Sequence, residues 1–245
     1  MDPLGAALRG PPGGAPEAKR TAFVIGNVGK LGAELLNVVL EDRAYDQVGV
    51  AIERPMHVTM ARLRPVPCPA PGRPWDPAAA LGRKVDDVFL CIEPRAASFW
   101  KTVQPYVALD SAASVPLARE LAARGARRAL VVTPLEALEQ MGATPALRNA
   151  DEVDLIAAGF ERLVLVRPTR DAHRAAAEGF LERLGAGVAR TLGGYMTPRH
   201  LRPIRVRKAA LAAMSALGAA GTGVEIIGAE RLRELAGEPV ERGGY

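Results

Sequence analysis

The stretch Thr21-Ala22-Phe23-Val24-Ile25-Gly26-Asn27-Val28-Gly29-Lys30-Leu31-Gly32 decides how the rest of the chain is read. Its first five residues are a short, largely apolar run that ends on a glycine, the mark of a buried strand. Its last three open the segment Lys30 to Leu40, where Leu31, Leu35, Val38 and Val39 recur at helical spacing. Between strand and helix the glycines fall as Gly-x-x-Gly-x-x-Gly. Each has its own expected task. Gly26 permits a tight turn off the strand. Gly29 lets the backbone approach a pyrophosphate seated on the N–H groups of the helix N-terminus. Gly32 lets the helix lie close to the sheet. Asn27, Val28, Lys30 and Leu31 complete this expected dinucleotide-binding turn, with Lys30 either drawing phosphate or solvated. A glycine-rich turn that binds nothing is the alternative.

Working outward, Val48-Gly49-Val50-Ala51-Ile52 is a second apolar run. Strand, helix and strand together make a βαβ unit of about thirty residues. The connection is too long for a hairpin. Next comes Arg64-Pro-Val-Pro-Cys-Pro-Ala-Pro-Gly-Arg-Pro-Trp-Asp-Pro77, with proline at almost every second position. Proline cannot donate to a ladder, so this stretch predicts at best an edge strand followed by a loop. Further strands are expected at Val85–Ile92, Ala129–Thr133, Arg162–Val166 and Val224–Ile227. Helices are expected over Val107–Arg124, with Pro116 inside, and over Asp151–Ala158, Ala209–Leu217 and Glu230–Leu235. Alternating strands and helices predict an α/β fold with a doubly wound parallel sheet, a Rossmann-type NAD(P)-binding fold. No internal repeat is visible.

Composition bounds the classes that remain. The chain has 245 residues, 49% apolar and 24% charged, but only 4% aromatic. Its core must therefore be filled by Ala, Val and Leu. This is the composition of a globular α/β domain, not of collagen, wholesale disorder or a disulfide scaffold. Residues 1–20, rich in Gly and Pro, are expected to be a disordered tail without the apolar core of a secretory leader. Residues 21–245 are expected to form one domain, with a small substrate-side portion at about 190–245. No apolar run is long enough for a membrane span, and a cytoplasmic location is expected. Cys91 reads as a small core residue and Cys68, among prolines, as exposed. His57, His173 and His200 lack ligand spacing.

The glycine turn, Asp86-Asp87-Val88-Phe89-Leu90-Cys91, Ala118 to Val132, Gly159 to Arg167-Pro168, and Arg202-Pro203-Ile204 with its following helix occur in a familiar order. The chain resembles the atypical, extended-type short-chain dehydrogenase/reductases of the NAD(P)H-binding group. Within that group it is similar to the small Tat-interacting-protein-like oxidoreductases and sugar-nucleotide epimerase relatives. The resemblance covers roughly residues 21–236. It implies NAD or NADP as cofactor, bound by residues 26–32, by the end of the second strand, by Cys91, Ile92 and Glu93, and by Arg167 and Pro168. At the end of the second strand an acid accepts from adenosine ribose hydroxyls and an arginine favours a 2′-phosphate. Here both stand side by side as Glu53-Arg54, and the carboxylate tips the expectation slightly to NAD. Two solvated charges are the alternative.

The resemblance also implies a catalytic Ser or Thr after the fifth strand and a Tyr-x-x-x-Lys pair in the next helix. The pair is missing. Tyr45, Tyr106, Tyr195 and Tyr245 have no lysine four residues on, and the interval 102–207 contains no lysine. The expected positions fall near Thr144 and Arg148. Thr133 is the remaining candidate for the hydroxyl, with a structural strand-end role as its alternative. Arg148 suits a ribose or phosphate but is too permanently charged to shuttle a proton. Relatives often have Gly where this chain has Glu93-Pro94, and a carboxylate there stands close to the cofactor's expected path.

Arg199, Arg202, Arg205, Arg207 and Lys208 form an acid-free basic stretch whose five charges equal the formal net charge of +5. The expected partner is a phosphate- or carboxylate-bearing small molecule or an acidic protein, with a solvated loop as the alternative. Without interleaved aromatics, nucleic acid is not expected. The expectation is thus a dinucleotide-binding, dehydrogenase-like protein without the usual catalytic pair: a sensor, scaffold or pseudoenzyme. The alternatives are an active oxidoreductase or epimerase-like enzyme, and a partner-binding protein with an empty cleft.

Overall fold

The computed structural model describes residues 19–58, 60–69, 75–92, 105–109, 111–133, 150–167 and 204–237. Seven strands are described: β1 (Arg20–Ile25), β2 (Tyr45–Ile52), β3 (Leu63–Pro67), β4 (Asp87–Cys91), β5 (Arg128–Val132), β6 (Arg162–Val166) and β7 (Gly223–Ile227). They form one sheet in the order β3-β2-β1-β4-β5-β6-β7. Every ladder is parallel. The helices are α1 (Lys30–Glu41), α2 (Pro77–Leu81), α3 (Ser111–Ala123), α4 (Ala150–Ile156), α5 (Val206–Gly218) and α6 (Ala229–Leu235). The chain moves outward from β1 to β3, then restarts at β4 on the other side of β1. This is the doubly wound, Rossmann-like arrangement, with its topological switch point between β1 and β4.

Strand periodicity explains the layers. Successive side chains point to opposite faces, so a strand buried on both sides is apolar throughout. Ala22 and Val24 of β1 join one core with Phe89, Leu130 and Val164, covered by Leu31, Leu35 and Val39 of α1 and by Ala209, Ala213 and Ala216 of α5. Phe23 and Ile25 join the other with Leu90, Val131 and Leu165, covered by Leu81 of α2, Leu121 of α3 and Leu155 of α4. The alanine-rich composition has a place here: α5 buries a nearly all-alanine face beside α1.

The proline-rich stretch does form the edge strand β3. The N–H of Val48 donates to the Arg62 carbonyl, and the N–H of Cys68 donates to the Ile52 carbonyl. In a parallel ladder the N–H and C=O of one residue point the same way and alternate along the strand. Even-numbered residues of β3 therefore face β2. Pro65 and Pro67 face outward, where no ladder donor is needed. The two-residue period of the prolines equals the period of the strand. The short helix α2 was not evident from periodicity. Asp76 caps it, accepting from the Ala79 N–H at 3.0 Å, and Pro77 stands in its first turn.

Of the boundaries that differ from the sequence reading, two have a clear packing cause. β2 begins at Tyr45 rather than Val48, because the Tyr45 ring is buried edge-on against Phe89. The expected helix from Val107 starts only at Ser111. Residues 105–109 are instead an extended strap. Val107 and Leu109, two apart, are both buried, as a strand period requires. Within α3 the helix continues through the exposed Pro116.

A buried polar cluster pins the N-terminal ends of the strands. Asp87, 1% exposed, opens β4. It accepts the Tyr45 hydroxyl at 2.6 Å and Nε of Arg128 at 2.7 Å, with Nη2 of Arg128 on its second oxygen. Arg20 lies 3.5 Å from the same carboxylate and 5.1 Å over the Tyr45 ring. Burial pushes the Asp87 carboxyl up to about 6, against the pull of the Tyr45 hydroxyl and of Arg20. Burial likewise raises Tyr45, and Asp87 adds to the shift. This cluster ties β1, β2, β4 and β5 together at the edge opposite the ligand crevice of such sheets.

Candidate functional site

The carboxyl ends of β2, β1 and β4 meet at the switch point. β1 runs into the glycine turn there because Gly26 adopts φ +85, a left-handed conformation that disfavours any side chain. A Cβ on Gly26 would sit 1.9 Å from the Cys91 carbonyl oxygen and 3.0 Å from Leu109 Cβ. The turn thus passes against the end of β4, with no room for more than glycine. The Val28 N–H closes the turn on the Gly26 carbonyl at 2.8 Å. Gly29 is the N-cap of α1 and brings no side chain of its own to cap it, and the first turn of the helix holds no acid. The positive end of the helix dipole therefore meets no negative side chain in that turn.

The expected turn residues divide by environment. Val28, Leu31 and Gly32 are buried, and Leu31 belongs to the core rather than the surface. Lys30 is exposed. Asn27 is fully buried, and neither its Nδ2 nor its Oδ1 has a hydrogen-bond partner. Such a group is rare in a folded protein.

The strap bounds the site. The N–H groups of Glu53 and Arg54 donate to the Pro105 carbonyl at 2.7 and 3.4 Å, and the Val107 N–H donates to the Ala51 carbonyl at 3.2 Å. Ile52 and Tyr106 form an antiparallel bridge. β1 pairs with β2 only up to Val24 opposite Val50. The strap takes up the backbone groups of β2 just past that point, and its Leu109 reaches the glycine turn. The Val107-x-Leu109 alternation after Pro105 was the available sequence signal. The side chains of Glu53 and Arg54 project into solvent at the same strand end.

The remaining expected residues line the same sheet edge. Cys91 and Ile92 are buried, and the Ile92 N–H donates to the Val132 carbonyl at 2.8 Å. Thr133 directly follows β5, two strands from β1, and is 7% exposed. Its N–H and its hydroxyl both donate to the Val166 carbonyl, at 3.0 and 3.4 Å. Arg167 ends β6. It forms a fork with Glu152 of α4, Nη2 to Oε2 at 2.6 Å and Nε to Oε1 at 3.3 Å. Arg205 is the exposed N-cap of α5. Arg207 reaches α1, where Glu34 at 3.0 Å and Glu41 at 2.6 Å match its charge. Glu93, Arg148, Pro168, Arg199 and Arg202 lie outside the described residues, as do residues 1–18 and, of the expected 190–245 portion, 190–203 and 238–245.

Among the described residues no cluster of three or more His, Cys, Asp or Glu is placed to hold a metal, and no helix is long and apolar enough to cross a membrane. The residues present fit a phosphate-bearing ligand: a glycine cradle that a Cβ would fill, a helix start with glycine at its N-cap, and a buried Asn27 amide without partners among the described residues.

No protein-family model matches the sequence, and no curated protein matches it. Among solved structures the chain is similar to the PhqB reductase domain from Penicillium fellutanum, at 17% identity and a TM-score of 0.47, covering 88% of this chain and 68% of that one. It is similar to a short chain dehydrogenase from Burkholderia cenocepacia in complex with NADP, at 16% identity and a TM-score of 0.45, covering 91% and 93%. It is also similar to the Helicobacter pylori ADP-L-glycero-D-manno-heptose-6-epimerase, at 13% identity and a TM-score of 0.45, covering 90% and 82%. At these values none of them carries function to this chain.

Proposed function

We propose that the chain is a dinucleotide-binding protein of the short-chain dehydrogenase type whose usual proton-transfer pair has been lost, acting as a sensor, scaffold or pseudoenzyme. The observation that carries this reading is the Gly26 turn. It combines a backbone approach that admits only glycine with a helix start whose N-cap is itself a glycine, at the switch point where such sheets bind nucleotides. The backbone of residues 26–32 would hold the pyrophosphate. Glu53 would accept from the adenosine ribose and favour NAD over NADP by repelling a 2′-phosphate, with Arg54 opposing that preference. Cys91, Ile92 and Glu93 would line the middle of the cofactor, and Arg167 and Pro168 its nicotinamide half. The nicotinamide, when bound, supplies hydride chemistry. On the protein side the proton source is the missing element: no Tyr-x-x-x-Lys exists, and the Thr133 hydroxyl is turned onto the Val166 carbonyl. The basic residues Arg199, Arg202 and Arg205 remain the proposed contact for a phosphate- or carboxylate-bearing molecule or an acidic partner. A cytoplasmic location agrees with this reading.

Calorimetric titration with NAD⁺, NADH, NADP⁺ and NADPH tests it. Binding of at least one, tighter for the non-phosphorylated pair, is expected. Absence of binding at millimolar concentration would sink the reading. Turnover on a panel of carbonyl substrates that Thr133→Ala abolishes would replace it with the active-enzyme alternative.

A further inference from the structure

We propose that Asn27 is a recognition residue whose side-chain amide is satisfied only when ligand is bound, so that the turn trades stability for binding. The inference rests on the phosphate-binding reading of the glycine turn. Asn27 is fully buried, and both polar atoms of its amide lack partners. It stands between Gly26, whose conformation and packing are closed to any side chain, and Gly29, the N-cap of the twelve-residue helix α1. A buried amide carries two donors and an acceptor, and leaving them unmade costs free energy that the folded protein must offset elsewhere. A purely structural residue at this position gains from being apolar, as its neighbours Val28 and Leu31 are. An amide that is costly in the free protein is explained if the bound state supplies its partners.

The chemistry of those partners follows from the group. Nδ2 needs an acceptor and Oδ1 needs a donor. A ribose phosphate offers both in one molecule, through its phosphate oxygens and its hydroxyls. Inorganic pyrophosphate is richer in acceptors than donors. Because Asn27 is shielded in the free protein, engaging it requires the turn or what packs on it to shift.

The test compares wild type with Asn27→Leu, which keeps the branched shape and removes both polar atoms, and with Asn27→Asp. Unfolding midpoints are measured without ligand, and affinities for ADP and for inorganic pyrophosphate by calorimetry. Asn27→Leu should raise the midpoint while weakening ADP binding at least about tenfold, the scale of one lost hydrogen bond. Its effect on pyrophosphate should be smaller. Asn27→Asp should lower the midpoint, by burying a charge, and weaken both ligands. A lower midpoint in Asn27→Leu with wild-type ADP affinity makes the amide structural and overturns the proposal alone. Failure of wild type to bind ADP, NAD⁺ or NADP⁺ overturns the glycine-turn reading and this proposal with it.

Discussion

At Gly26 two independent constraints coincide. The backbone is left-handed, and the space a side chain would fill holds the Cys91 carbonyl. Gly26→Ala should therefore cost about 3 kcal/mol or more in urea unfolding, beyond the conformational penalty alone. A loss below about 1 kcal/mol would show that the turn is free to move off β4. Asp87 is the second residue with a sharp consequence. Folding raises its carboxyl to about 6, so the folded protein holds a proton that the unfolded chain has released. Its contribution to stability is fully present below the ordinary carboxylate range and is lost as pH rises through 6. Asp87→Asn should remove that part of the pH dependence, seen as a flatter profile of urea midpoints between pH 4 and 7. Tyr45→Phe should move the falling limb to higher pH, because the Tyr45 hydroxyl pulls the Asp87 carboxyl down. A limb that stays in place would mean the hydroxyl does not act on the carboxylate.

The strap is the element most closely joined to the site. It is hydrogen-bonded to the end of β2 and carries a side chain, Leu109, that is 4% exposed. Leu109→Ala should cost about 2–4 kcal/mol in thermal or urea unfolding, as in a core, whereas a mere surface loop would lose less than about 0.5. Sequence patterning failed at this element for a physical reason. Strands β1, β4, β5 and β6 are legible because their apolar runs are local, and the glycine turn because its spacing is local. The extended state of residues 105–109 depends on vacant backbone groups at Ala51 and Glu53, more than fifty positions away. Tyr45 likewise reads as strand only once Asp87 is known to sit beside it. At the site, the sequence named Gly26, Asn27 and Thr133, but nothing in it set Asn27 apart from the other residues of the turn. That its amide is both buried and unpartnered appears only when the whole turn is packed.

Across the whole molecule, the basic balance and the alanine-rich core both acquire locations. The charge of Arg207 is matched by two glutamates of α1, so this member of the basic stretch joins two helices. Mixed charge on an exposed surface is sensitive to salt. Arg207→Ala should thus lower the unfolding midpoint only at low ionic strength, and equal effects in high and low salt would contradict the ion-pair account. On the face that α5 turns to the core, Ala213 is 2% exposed. Ala213→Leu should cost about 1–3 kcal/mol by overpacking, measured by urea unfolding.

The prolines of β3 bear on how copies of this chain meet one another. The outward positions of that margin, Pro65 and Pro67, offer no N–H, so an approaching strand finds acceptors without donors and cannot build a ladder. At the far margin, β7 shows Val224 and Ile226 at 44% and 40% exposure. Strand-to-strand growth needs two receptive margins per copy to propagate without limit. A sheet sealed on one side ends any such chain at a pair. The residues that made this stretch look least like structure therefore withhold the donors that strand-to-strand growth at this margin would need.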